Sequence, residues 1–334
     1  MTTFELGVDL CFAAKRWPQP ESWTAIVRDE LQLRCVEFDS DLLDPFCIPE
    51  DLRLCLAAET RRQVEDAGLY VHSYFSGLIP HALNLLGHPD ERLRDLGIAW
   101  AEGAIRTAAA MGARGTGQHG LTTIAAPDCL VAEPYNRHVD RLVRGFQHLS
   151  FYAQEFGLDF VILEQMYTPN EPPYTIAQTQ DILGRINQRA GVPVKLALDL
   201  GHAASPHYPH AAEDADPYEW MYRLGRETLV VHVQQTSPGT SQHWPFTGEY
   251  NARGIIDPKR TLEALAASGA GHVALIFEIF FSLSQNEERI LADMRETTDY
   301  WKRALQAWQD SPEVSADAAN RCGPEDQVGL LYRP

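Results

Sequence analysis

Short apolar runs recur along the chain, and each is followed by a longer stretch in which apolar residues repeat with helical spacing. Eight runs have the length of a strand, and they span Phe4 to Leu10, Cys35 to Phe38, Leu69 to Phe75, Ala113 to His119, Leu158 to Met166, Val194 to Leu200, Leu229 to Val233 and His272 to Phe281. Between them, positions such as Leu93, Leu96, Trp100 and Ala104 step by three or four, which predicts helices with one buried face. Strands that alternate regularly with helices are typical of a parallel sheet covered by helices.

Eight such units in one chain predict a closed (β/α)8 barrel, also called a TIM barrel. The 334 residues fit one barrel of about 250 residues with insertions. An open sheet would need a nucleotide fingerprint, and the glycine-rich segment at 112–117 lacks both the dinucleotide spacing and the Walker lysine. We expect one barrel domain over residues 1–309. Residues 310–334 have no periodicity and are expected to form an irregular C-terminal extension.

The net charge of the chain limits the classes of partner that it can bind. The formal net charge is -18, there are only four lysines, and no basic patch interrupts this acidity. Phosphate polymers and anionic membranes repel such a chain, so we expect a small-molecule partner and neither nucleic acid nor membrane. The first residues show no signal-like pattern, and no apolar stretch reaches the ~20 residues that span a bilayer, so we expect a cytoplasmic protein. The oligomeric state, a homo-oligomer included, stays open.

Side chains that can bind a metal end four successive predicted strands. They are Glu164, Asp199, His232 and Glu278, on strands five to eight. The carboxyl ends of the strands form the active face of a (β/α)8 barrel, so we expect these side chains to converge. Three carboxylates within a few ångströms are unfavourable without a cation. Oxygen ligands with one nitrogen favour Mn2+, Mg2+ or Co2+ over a thiolate zinc site, and affinity order alone does not choose among them.

This set, together with the Asp-Leu-Gly-His turn from Asp199 to His202, resembles the xylose isomerase-like barrel superfamily over about residues 4–308. That superfamily contains sugar and sugar-phosphate isomerases and epimerases, inosose dehydratases and apurinic endonucleases. The loop from His243 to Asn251 looks most similar to the erythrulose-phosphate branch of the ketose 3-epimerases. The resemblance implies a sugar or sugar phosphate as substrate and a divalent ion, for which we expect Mn2+.

The resemblance also implies roles for individual residues. In ketose 3-epimerases the ligands come from strands five to eight in the order Glu, Asp, His, Glu, which matches the set above one for one. The two glutamates, here Glu164 and Glu278, act there as an acid/base pair on opposite faces of the substrate. A histidine three residues after the aspartate contacts the sugar, as does an arginine after strand seven, which implies these contacts for His202 and Arg253.

Proton abstraction next to a carbonyl is the chemistry that such a site supports. A metal that coordinates a carbonyl and an adjacent hydroxyl oxygen stabilises an enediolate, so the neighbouring carbon becomes acidic enough for a carboxylate to deprotonate it. If Glu164 and Glu278 face each other across the sugar, proton removal and return on opposite faces give epimerisation. Return to the adjacent carbon gives aldose-ketose isomerisation, and the sequence does not separate the two.

Five further residues are predicted to contact the substrate. His72 and His119 lie at the ends of strands three and four, where lone histidines are more often satisfied hydrogen-bonding groups than ligands. Trp17, Trp244 and Phe246 lie on loops after strands one and seven, where aromatic faces could cover a sugar ring or exclude water. Ordinary loop packing explains these three aromatic residues equally well.

Three alternatives stay open. The same metal site would serve a lyase, either an inosose dehydratase or an enzyme that cleaves a carbon-linked 3-keto glycoside. An apurinic endonuclease would place His72 and His119 in a three-zinc cluster, but the chain has Gln242-His243-Trp244 where that branch has Asp-x-His, and its acidity opposes DNA binding. A non-catalytic barrel would bind a sugar and keep the rim residues only for structure.

Overall fold

Eight parallel strands pair in the order of the sequence, and the last strand returns to the first. The structure is a computed structural model that describes residues 2–83, 85–120, 123–205, 208 and 210–311. Its strands are β1 (Thr3–Asp9), β2 (Cys35–Asp39), β3 (Tyr70–Phe75), β4 (Gly115–His119), β5 (Phe160–Glu164), β6 (Val194–Asp199), β7 (Thr228–Val233) and β8 (His272–Phe277). The predicted (β/α)8 barrel is confirmed, and each predicted apolar run overlaps one strand.

Helices connect successive strands around the outside. Within the described residues they are α1 (Pro20–Ala25), α2 (Glu50–Asp66), α3 (Leu78–Ala82), α4 (Glu91–Met111), α5 (Ala126–Cys129), α6 (Ala132–Glu155), α7 (Ile176–Asn187), α8 (Leu200–Ala203), α9 (Pro217–Leu224), α10 (Gly248–Asn251), α11 (Pro258–Ser268) and α12 (Glu287–Gln309). The predicted extension begins where α12 ends, but residues 312–334 lie outside the described residues, so its structure stays a prediction. None of the described helices is both long and apolar enough to cross a membrane.

The alternation of side chains along each strand separates two apolar layers. Because successive side chains of a strand point to opposite faces, every second residue enters the barrel. The interior holds a small cluster that comprises Cys35, Phe75, Phe160, Ile162, Ala197, Val230, Ala274 and Ile276. A larger cluster, which includes Trp23, Trp100 and Trp301, joins the outer faces of the strands to the helices. The second layer therefore buries the apolar stripes that the sequence predicts for the helices.

Glycines in β4 make room for two aromatic rings in the interior. A Cβ added to Gly115 would lie 2.2 Å from the Phe160 ring, and one added to Gly117 would lie 2.2 Å from the Phe75 ring. These rings therefore fill the space that β4 leaves. Phe75 reaches the ring of His232, with 4.8 Å between the centroids, and so forms an apolar support beneath the carboxyl ends of the strands.

Candidate active site

The four predicted metal ligands meet at the carboxyl end of the barrel. Glu164 and Asp199 are the last residues of β5 and β6, His232 is the fifth residue of β7, and Glu278 directly follows β8. One ligand atom from each lies within 4.8 Å of the others. Each residue comes two positions after a member of the interior cluster, namely Ile162, Ala197, Val230 and Ile276. The convergence therefore follows from the alternation of side chains along four parallel strands.

His232 is surrounded by carboxylates on both ring nitrogens. Its Nδ1 lies 2.9 Å from Glu164 Oε1 and 3.4 Å from Glu278 Oε2. Its Nε2 lies 2.7 Å from Glu37 Oε1. Burial alone lowers the pKa of an imidazole, but the three carboxylates outweigh burial and raise the pKa of His232 well above its ordinary value. A positive charge is therefore favoured at the centre of the site.

Asp199 is fixed as a carboxylate by its neighbours. Its Oδ1 accepts the backbone N–H of His202 at 2.6 Å, and Gln234 Nε2 lies 2.9 and 2.8 Å from its two oxygens. Burial acts to raise the pKa of Asp199, yet His202, His243 and His232 outweigh burial and lower it to about 2. The side chain is therefore ionised at neutral pH and available as an oxygen ligand.

The surroundings of the Glu278 carboxylate indicate whether a cation would fit the site. Its Oε2 is buried and has no hydrogen-bond partner among the described residues. Burial raises the pKa of Glu278 well above its ordinary value, and repulsion by Glu164 and Asp199 adds to this, against the opposing effect of His232. A buried acceptor without a partner is costly. A cation beside this oxygen would provide the missing partner and relieve the repulsion, so the residues present fit a divalent ion.

A cavity of about 270 Å³ adjoins Glu164 and Glu278, whereas Asp199 and His232 lie behind its lining. Its volume is near the lower end of small-molecule sites, which suits a short sugar. Among the described residues, its lining includes the acids Asp9, Asp39, Glu164 and Glu278, the imidazoles of His81, His119, His202 and His243, and the rings of Phe75, Tyr167 and Phe280. No described lysine or arginine lines it. The site is thus polar and acidic, with aromatic rings along part of its wall.

Two of the predicted substrate-binding residues line this cavity. His119 ends β4 and has its Nδ1 3.2 Å from Ser76 Oγ, and burial lowers the pKa of His119 well below its ordinary value. His202 Nδ1 lies 3.0 Å from the carbonyl oxygen of Gln165, so this nitrogen carries the proton. The lone pair of the His202 ring is therefore on Nε2.

Two others are fully buried. His72 is the third residue of β3, inside the strand and not at its end, and its fully buried ring lies 5.2 Å from that of Phe160. Phe246 is fully buried, with its ring 5.3 Å from that of Trp301 on α12. Neither lines the cavity. Their contact with a substrate stays a prediction that this arrangement does not support.

The remaining three lie on the surface of the carboxyl end, outside the cavity lining. Trp17 packs against Phe12, with 6.0 Å between the ring centroids. Trp244 stacks on Tyr250 at 5.1 Å, and the guanidinium of Arg253 lies 4.5 Å from the Trp244 ring centroid. The predicted sugar contacts of these residues stay predictions, since Trp17 packs on Phe12 and Trp244 packs on Tyr250 and Arg253.

Sequence reasoning missed five acids and histidines of the site, besides the rings of Phe75, Tyr167 and Phe280. Asp9 and Asp39 end β1 and β2, so they offered the same signal as Glu164. His243, used in the sequence as a departure from a zinc motif and as the start of a family-like loop but not assigned to the site, has its Nδ1 3.5 Å from Glu278 Oε2. The other two are His81, which lines the cavity from α3, and Glu37, whose signal was a lone acid within an apolar strand.

The fold agrees with the comparisons with known proteins. A family model described as the xylose isomerase-like TIM barrel matches residues 29–308. The chain therefore belongs to the xylose isomerase-like TIM barrel family, as the resemblance in its sequence indicated.

The proteins that the chain resembles in sequence or in fold include several named as sugar enzymes. The chain is 25% identical over 296 residues to the D-erythrulose 1-phosphate 3-epimerase of Brucella abortus, covering 86% of this chain and 91% of that protein. The crystal structure of a putative xylose isomerase from Rhodospirillum rubrum superposes with a TM-score of 0.83 at 29% identity, covering 90% of this chain and 99% of that one. D-psicose 3-epimerase from Clostridium cellulolyticum shares the fold, with a TM-score of 0.67, 16% identity and coverage of 90% and 99%.

Proposed function

We propose that this chain is a divalent-metal-dependent epimerase or isomerase of a ketose or ketose phosphate, with 3-epimerisation ranked first. The observation that carries the proposal is the approach of four ligand atoms within 4.8 Å of one another beside a small polar cavity. The name of the Brucella abortus relative supports a 3-epimerase. The four residues that would hold the ion are Glu164, Asp199, His232 and Glu278.

We assign the transfer of the substrate proton to Glu164 and Glu278. Glu164 is the last residue of β5 and Glu278 directly follows β8. One carboxylate oxygen of each lies near Nδ1 of His232, at 2.9 and 3.4 Å. Carboxylates on two sides of one carbon can remove a proton from one face and return it to the other, which inverts that centre. A carboxylate has two oxygens, so Glu164 and Glu278 can each use one oxygen for the ion and the other for the proton.

Other residues of the cavity would bind the sugar and exclude water. The Nε2 lone pair of His202 can accept a hydrogen bond from a sugar hydroxyl, and the rings of Phe75, Tyr167 and Phe280 limit access of water to the reacting carbon. The ion, Mn2+ by its ligand type with Mg2+ or Co2+ as substitutes, would stabilise negative charge on the sugar oxygens while the proton is absent.

The charges around the cavity favour a free ketose over its phosphate. Its described lining has acids and no lysine or arginine. The backbone N–H groups of Leu78 and Ile79 at the start of α3, which could otherwise meet an anion, donate to the carboxylate of Asp41 at 3.2 and 3.0 Å. We therefore rank the free sugar first, although the Brucella abortus relative is named for a phosphorylated one.

A substrate panel tests the proposal. Tetruloses, pentuloses and hexuloses, each with its 1-phosphate, would be incubated with the Mn2+-loaded protein in D2O and followed by NMR. We expect inversion next to the carbonyl with one solvent deuterium incorporated, and a larger kcat/KM for the free sugars. Turnover without deuterium incorporation would contradict proton transfer through the solvent-exchangeable carboxylates.

The same experiment distinguishes the alternatives. Loss of a hydroxyl group or cleavage of a carbon-linked glycoside would replace the epimerase by a lyase on the same site. About three bound zinc ions and cleavage of an abasic duplex would identify a nuclease. Tight sugar binding without exchange, together with less than about half an equivalent of metal, would indicate a non-catalytic barrel.

A further inference from the structure

One carboxylate inside the barrel has no part in the function proposed above. Glu37, the third residue of β2, is fully buried. Its Oε1 lies 2.7 Å from His232 Nε2, and its Oε2 accepts the hydroxyl proton of Ser73 at 2.5 Å. A buried carboxylate is tolerated only when it is paired or hydrogen-bonded. These two contacts therefore explain how the fold accommodates Glu37, but not why an acid is there.

The positions of the protons follow from counting donors and acceptors. Ser73 has one hydroxyl proton, which it gives to Glu37, so its oxygen accepts from His72 Nδ1, 3.0 Å away. Glu37 accepts on both oxygens, so Nε2 of His232 carries the proton of their shared contact. The ring nitrogen at which a cation would replace a proton is then Nδ1, the one that faces the two glutamates of the candidate active site.

Stability alone is a poor reason for this arrangement. His72, Ser73 and Glu37, here called the interior chain, are all fully buried, and none of them lines the cavity. A buried charged pair on average stabilises a fold no better than apolar side chains of the same size. His72 Nε2 also lacks a hydrogen-bond partner among the described residues, which adds to the cost of the interior chain. The interior chain ends at His232, and a role in positioning that residue explains the arrangement better than stability does.

We propose that Glu37 is a positioning residue for the metal ligand His232. By accepting the Nε2 proton it fixes the tautomer and the ring orientation that turn Nδ1 toward the cation, and Ser73 and His72 hold Glu37 in place. Loss of such a carboxylate partner typically lowers metal affinity about 10- to 100-fold. Because it presumes that His232 binds the ion, this proposal rests on the proposed function. It places His72 in the support of the metal site and not at the substrate.

Metal affinity and the state of the His232 ring test the proposal in the full-length protein. Mn2+ titrations followed by electron paramagnetic resonance would compare the wild type with Glu37→Gln, Ser73→Ala and the control Asp44→Asn. Asp44 is also buried, at 1% exposure, and its carboxylate accepts hydrogen bonds from Trp100 Nε1 and two backbone amides away from His232. Ring 1H–15N spectra of the Mg2+-loaded proteins would report the Nε2–H signal of His232, and circular dichroism would confirm folding.

We expect Glu37→Gln to raise the dissociation constant for Mn2+ about 10- to 100-fold and to shift or abolish the His232 Nε2–H signal. Ser73→Ala should cause a smaller rise, and Asp44→Asn should change the constant less than about twofold. If Glu37→Gln does not fold, Glu37→Asp, which keeps the acceptor but shortens its reach, should raise the constant by at least about threefold.

Three results would overturn the proposal. An unchanged affinity in the folded Glu37 variant would refute it and leave the proposed function intact. An equal loss in Asp44→Asn would also refute it, because the effect would then follow from neutralising any buried acid. Absence of Mn2+ binding by the wild type would instead refute the metal centre of the proposed function, and the role of Glu37 with it.

Discussion

The two sides of the barrel rim place the same kind of side chain in different surroundings. On β5 to β8, three acids and one imidazole bring their ligand atoms together. On β1 and β2, Asp9 and Asp39 also end their strands and line the same cavity. Their carboxylates accept the backbone N–H groups of Cys11 and Asp41 at 2.6 and 2.7 Å. Asp199 caps its strand end in the same way, through the His202 N–H, so the two sides differ in that its oxygen also meets other candidate ligands, whereas Asp9 and Asp39 belong to no such group among the described residues.

Neighbouring histidines explain the difference. Burial raises the pKa of Asp9 to about 7, with a further contribution from Glu37, and raises the pKa of Asp39 well above its ordinary value. Asp199 is buried as well, but the imidazoles around it lower its pKa to about 2. Imidazoles keep Asp199 anionic, whereas burial, reinforced by repulsion between carboxylates, moves Asp9 and Asp39 toward their neutral forms, as it does Glu278 on the side of Asp199.

Amide substitutions across the rim should give the largest contrast. Glu164→Gln or Glu278→Gln removes a proton-transfer group and should lower kcat about 10²- to 10⁴-fold, while the fold persists because the rim and not the core is altered. Asp39→Asn, the corresponding change on the other side, should lower kcat less than about tenfold. Steady-state kinetics at saturating Mn2+ would measure this, and near-normal turnover in either glutamine variant would contradict the two-carboxylate scheme.

The second largest effect concerns metal affinity, which should differ between the β5–β8 side of the rim and the β1–β2 side. Removal of the ion with EDTA should abolish turnover, and Mn2+ should restore it. Asp199→Asn should weaken Mn2+ binding by more than about 100-fold, the upper end for a change outside the ligand set, whereas Asp9→Asn should alter it less than about threefold. Calorimetric titration would give both constants. Similar losses on the two sides would mean that Asp9 belongs to the metal centre after all.

The smallest expected effect concerns stability. In the metal-free protein, Asp9 binds its proton more tightly in the folded state, because its pKa of about 7 exceeds the ordinary 3.8. This contribution is complete below the ordinary value and is lost as pH rises through the folded pKa. The Tm of Asp9→Asn, which has no such proton to lose, should therefore gain about 2 °C or more on the wild type between about pH 4 and pH 7. A Tm difference that does not change with pH would disprove the raised pKa.

The barrel was predictable because its parallel strands are buried on both faces and read as apolar runs. The residues that end those runs, such as Glu164 and Asp199, were predictable for the same reason, although their binding of a metal stays a prediction. His72 was placed at a strand end although the predicted run from Leu69 to Phe75 continues three residues beyond it, and the structure keeps it inside β3. Phe246 was assigned to a loop surface because its burial depends on α12, which no local pattern encodes.

The contact between Glu37 and His232 links the two halves of the chain. Every candidate ligand lies between residues 164 and 278, yet the acceptor that orients the only imidazole among them comes from β2. A half-barrel fragment made of β5 to β8 would contain the whole ligand set and lack this acceptor. Transplantation of the site onto a smaller scaffold would therefore also need an acid that takes the place of Glu37. In a protein split into two halves, the carboxy-terminal half would regain the oriented imidazole only when the amino-terminal half binds to it.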